Sequence, residues 1–203
     1  SKVKQPMSTI MIPENFDFAD MDIDEIQSIY AAIANGEQLY GYLGQRHGIR
    51  FVINNHASLA SMGLLEQTWV DAYLSASHFN DFDPTVIQAI FESCNRAVLL
   101  EIGPLVGKAA GNSRERISLF RGCAGPEHSP GMSWTTSLDK AIWYAAHHVA
   151  WYDLTNPAVY ATTVDESEIY CRLTRNEEEY IVWPKTMWRV NVPLSEFTLD
   201  RQR

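Results

Sequence analysis

Cysteine is scarce in this chain and spaced for no obvious chemistry. The 203 residues contain three, Cys94, Cys123 and Cys171. Their odd number and the lack of any C-x-x-C pair argue against a cysteine zinc site and against a disulfide framework. Reducing, cytoplasmic conditions are the expected setting. No apolar run approaches the length of about 20 residues that spans a bilayer. The lysines of Ser1-Lys-Val-Lys-Gln-Pro-Met7 are followed by no signal-peptide core. Basic residues are also in deficit, 16 Lys and Arg against 25 Asp and Glu, for a net charge of -9. That balance argues against a surface built to grip long nucleic acid. The acid excess is densest between Glu14 and Glu25.

Several reaction signatures are missing as well. There is no G-x-S-x-G turn for a hydrolase serine. The adjacent His147 and His148 would point about 100° apart on a helix. They lack the i, i+4 spacing of helical zinc ligands, so no metal site is expected. Gly103-Pro-Leu-Val-Gly107-Lys108 has the glycines and lysine of a phosphate loop in the wrong spacing, with Ala109 where a hydroxyl should hold magnesium. It reads as a helix stop.

What is present is a folding composition, 46% hydrophobic and 20% charged. Residues 1–20 read as an extended arm, 21–110 as mostly helical and 111–203 as strand-rich, the last two compatible with one compact domain. A helix is predicted from Ile23 through Ile33, capped by Asp20 or Asp22 and stopped at Asn35-Gly36. A second is predicted over 64–76. A third starts at Asp83-Pro84 and carries its apolar stripe through Leu99 to Gly103-Pro104. Strands are predicted over 116–121, 132–135, 158–164, 178–183 and 188–192. A helix capped by Thr136 or Ser137 is predicted over 138–149. The fold class is α+β.

Three clusters in the second half carry chemistry. Arg121 ends an apolar strand and precedes Gly122, which permits close backbone approach. Arginine offers a planar fork suited to a diphosphate. Ser133, Thr135, Thr136 and Ser137 supply hydroxyls on the way into a helix. Trp134 among them is either core or an aromatic face for a flat ring. Cys123, beside Arg121, is either an activated thiol or a plain buried one. Last come Glu177-Glu178-Glu179, running into Tyr180-Ile-Val-Trp183. In a strand, Glu177 and Glu179 share a face and Glu178 takes the other as a solvated charge.

Leu119-Phe-Arg-Gly122, then Gly131-Met-Ser-Trp-Thr-Thr-Ser137 with an aromatic helix behind it, then Glu177-Glu-Glu-Tyr-Ile-Val182, together resemble the Arg-Ser-Glu class of ADP-ribosyltransferases. The resemblance covers roughly residues 115–192. It implies a split β-sandwich around an NAD cleft. Arg121 and Gly122 would meet the NAD phosphates. Ser133 or Thr135 would fill the serine position, with Trp134 between them. Glu179 would be the catalytic glutamate and Glu177 the acceptor-directing one, the pairing found with arginine acceptors. The implied activity is transfer of ADP-ribose from NAD to a protein by a small bacterial or phage effector. NAD would be consumed as a substrate, with no metal. An NAD glycohydrolase of the same fold and a catalytically silent binding module are the alternatives.

Overall fold

The computed structural model describes residues 16–76, 82–106, 116–125, 131–174 and 178–200. The chain divides into two compact units, residues 1–94 and 95–203. The expected arm falls mostly on residues outside this description.

The first unit is helical: α1 (Ile23–Asn35), α2 (Tyr40–Ser61), α3 (Leu65–Ser75) and α4 (Pro84–Ser93). Its boundaries follow local chemistry. Asp22 accepts from the Glu25 amide at 2.9 Å and Glu25 reaches back to the Asp22 amide at 3.1 Å, so two orphan donors of α1 are satisfied at once. Gly36 ends the helix in the left-handed region at φ 68. Asp83 caps α4 with Pro84 in its first turn. The longest helix, α2, has no side-chain cap and is not predicted from the sequence. It is interrupted at Gly44 (φ 65) and Asn55 (φ -126). The buried Asn55 amide uses the second break to bind the backbone of Asp17, donating at 2.7 Å and accepting at 2.8 Å. Phe91 packs edge-on against Trp69 and Tyr73 in this unit's core.

The single helix predicted from Asp83 to Gly103 is two. Cys94 and Asn95 are extended, and the Asn95 side chain caps a new helix, α5 (Arg96–Ile102), by accepting from the Ala97 amide. A capping side chain here overrides a continuous apolar stripe. Helix α5 belongs to the second unit, with β1 (Ile117–Cys123), β2 (Ser133–Trp134), α6 (Leu138–Tyr152), β3 (Ala158–Val164), β4 (Ile169–Leu173), β5 (Glu179–Val182) and β6 (Trp188–Val190).

The strands form two three-stranded antiparallel sheets, ordered β1-β3-β6 and β2-β5-β4. Among the described residues one rung joins them, a reciprocal backbone pair between Phe120 and Thr135 at 2.7 and 2.9 Å. The α+β class therefore holds, with small antiparallel sheets. Strand alternation explains the layers. Leu119 and Val164 of the first sheet meet Trp134, Ile169, Tyr180 and Val182 of the second in one buried cluster. Phe120, one residue on, faces the other way and packs with Val159 against Ala141 and Ile142 of α6. Each such aliphatic side chain contributes about 1.5–3 kcal/mol by leaving water. Gly122 is where sheet and helix come closest, because a β-carbon there would overlap the Ala141 carbonyl. The end of α5 is joined to the second sheet by the Arg172 amide donating to Gly103 O at 3.0 Å, so Gly103 is both a helix stop and a docking point.

Candidate active site

Three strands of the second unit bring Arg121, Ser133 and Glu179 together. Ser133 sits in β2 opposite Ile181 of β5, two residues from Glu179 along that strand. Ser133 Oγ donates to Glu179 Oε2 at 3.2 Å. Arg121, near the end of β1, donates from Nη1 to the Ser133 carbonyl at 3.0 Å. The link between Arg121 and β2 follows from the Phe120–Thr135 rung, which places the two strands side by side just before the arginine.

This geometry separates the two candidate hydroxyls. Ser133 is half-buried and bonded to the glutamate, whereas Thr135 is buried and its Oγ1 accepts from the Ser137 amide at 3.1 Å. Thr135 thus shapes the turn into α6, which Ser137 caps by accepting from Lys140 N. Of the two readings of Trp134, the structure selects core: it is 2% exposed, and its Nε1 donates to Gly131 O at 3.0 Å. It therefore presents no face to a ring. Gly122 lies against α6, where a β-carbon would overlap the Ala141 carbonyl. Glu177 lies outside the described residues.

Arg121 is half-buried, and its Nε is buried without a hydrogen-bond partner. Among the described residues no carboxylate forms an ion pair with it. An orphaned donor on a cation is the feature an anionic ligand satisfies. His148 of α6 senses the same charge. Burial first, then Arg121 and His147, push its pKa down to about 4, so it is neutral at neutral pH. Cys123 is a buried thiol pushed up by desolvation, only partly offset by Arg121 and Arg189, which answers the activated-thiol reading in favour of the plain one. Cys171, beside Glu179, is pushed up to about 12 by burial and by that carboxylate. Neither thiol is a nucleophile at neutral pH.

The expectation for Glu178 needs correction. It is not a free solvated charge. Arg172 Nη2 contacts its Oε2 at 3.0 Å and Thr136 Oγ1 donates to its Oε1 at 3.2 Å. Strand β4, which carries Arg172, is also missed in the sequence. Its signal was there: Ile169, Cys171 and Leu173 alternate with Tyr170 and Arg172, and all three apolar residues are buried. Behind the site, α6 displays an aromatic ladder at helical spacing, Trp143 on His147 at 4.8 Å and His147 on Trp151 at 5.2 Å.

Among the described residues no group of three or more metal-ligating side chains occurs, and no helix is long and apolar enough to cross a membrane. Comparison with protein-family models, curated proteins and solved structures gives no significant match, so the functional reading rests on these residues themselves.

Proposed function

We propose that this chain is an NAD-dependent mono-ADP-ribosyltransferase with a protein arginine as acceptor. The observation that carries the reading is the Ser133–Glu179 hydrogen bond with Arg121 anchored on the Ser133 carbonyl. Three residue types needed for one reaction, far apart in sequence, meet at one place. Two small antiparallel sheets sharing an apolar cluster fit the split sandwich that the motifs imply.

Each group has a task in that reaction. Arg121 meets the diphosphate of NAD with the donors it does not spend on Ser133. Ser133 orients Glu179, whose other oxygen accepts from the 2′-hydroxyl of the nicotinamide ribose. As the glycosidic C–N bond breaks, its electron pair leaves with neutral nicotinamide and positive charge develops on the ribose. A fixed carboxylate stabilises that charge in place. The acceptor guanidine nitrogen then forms the new bond to the ribose carbon and gives up its proton, with Glu177 as the base.

Incubation with labelled NAD and a cell lysate tests this. Label should appear on lysate protein and fall at least about 100-fold in Glu179→Ala, the scale of losing one preorganised electrostatic group. Glu177→Ala should lose transfer while still releasing nicotinamide. Nicotinamide release without labelled protein in the unaltered chain would identify a glycohydrolase. An absence of NAD consumption in every arm would overturn the reading.

A further inference from the structure

The middle glutamate of the run is held by two side chains. Glu178 Oε2 meets Arg172 Nη2 at 3.0 Å, and Glu178 Oε1 accepts from Thr136 Oγ1 at 3.2 Å. The two partners come from different places, Arg172 from β4 and Thr136 from the turn between Thr135 and the Ser137 cap of α6. Arg172 is itself fixed. It stands opposite Tyr180 in the β4–β5 ladder, and its amide is bound to Gly103 O. Its side chain is only 18% exposed, and its Nε is buried without a partner.

We infer that Glu178, gripped by Arg172 and Thr136, is a positioning residue that fixes the direction of Glu179. Successive side chains at a strand start point to opposite faces. Locking 178 on one face sets 179 on the other, where Ser133 receives it. The inference rests on the proposed function for its catalytic consequence and on the contacts alone for its structural one.

Two measurements separate those parts. In Arg172→Met and Glu178→Gln, kcat for nicotinamide release should fall about 10- to 100-fold, the scale of a small misplacement of a reacting group. KM for NAD should stay within about twofold, because Arg121 is untouched. The exchange Arg172→Glu with Glu178→Arg should restore most of kcat, since it rebuilds the pair. Independently of catalysis, amide exchange at Glu179 and Tyr180 should quicken by about 10-fold or more in the single variants. Unchanged exchange would overturn the positioning role, as would a raised KM with unchanged kcat. If the unaltered chain consumes no NAD, the proposed function fails, and the exchange data still decide the clamp. Should Arg172→Met not fold, Thr136→Val removes the other arm and is read in the same ways.

Discussion

Arg121 places its guanidinium in the space that a side chain at residue 131 would fill, and the same group donates to the carbonyl of Ser133 two residues on. Gly131 is thus a seat for the arginine. The overlap involves the far end of a flexible side chain, so adding a methyl group moves the guanidinium and leaves the backbone where it is.

Gly131→Ala should therefore keep its melting temperature within about 2 °C, as expected for a change that does not disturb the core. On the proposed function its KM for NAD should rise about 10-fold, the scale of one misplaced charge-assisted hydrogen bond. Steady-state kinetics beside a thermal melt read both. A normal KM would show that Arg121 does not meet the substrate.

Ser133→Ala and Thr135→Ala should fail in opposite ways. The first removes the donor to Glu179 and should lower kcat about 10- to 100-fold with the fold intact. The second strips the turn into α6 of a buried acceptor and should cost about 1–2 kcal/mol of stability with kcat nearly kept. Equal effects of both on kcat would contradict the assignment of Ser133.

The neutral state of His148 gives a pH dependence whose sign is fixed. Its folded pKa, about 4, lies below its ordinary value of 6.5. Above pH 6.5 both folded and unfolded chains have it neutral and it has no effect. As pH falls from 6.5 towards 4 the unfolded chain takes up a proton that the folded chain refuses, so stability is lost across that window. His148→Gln should flatten the decline in melting temperature between pH 7 and pH 4.5. A decline as steep as that of the unaltered chain would show that other groups cause it.

Local chemistry made much of this molecule readable from the sequence. Asp22 with Glu25, Asn35-Gly36, Asp83-Pro84 and Ser137 each mark a helix end by a hydrogen bond within a few residues, and such signals survive without tertiary context. The β1 and β3 strands were legible for a similar reason, since both are short runs rich in β-branched, aromatic and aliphatic residues, a signal that is local to each strand. Helix α2 was not, because its glycines break the apolar period and its buried Asn55 finds its partner 38 residues away. In the site, the chain order of Arg121, Ser133 and Glu179 was visible, but the choice between Ser133 and Thr135 was not. They are two residues apart, an even shift that strand alternation cannot resolve, and the contact of Ser133 with Glu179 and of Thr135 with the turn into α6 distinguish them. The Arg172–Glu178 pair was hidden with β4 itself, since a register across two strands cannot be read from either one.

The single rung between Phe120 and Thr135 has a mechanical meaning. Displacement about a pivot grows with distance from it. If the two sheets spread, the far ends of β3 and β4 travel furthest and the residues beside the rung travel least. Arg121 and Ser133 are its immediate neighbours on either side, one and two residues away. Glu179 is tied to Ser133 within one sheet. The spacing of the arginine, serine and glutamate is therefore set by backbone pairing at the seam itself, as stitches at a spine fix the pages nearest to them.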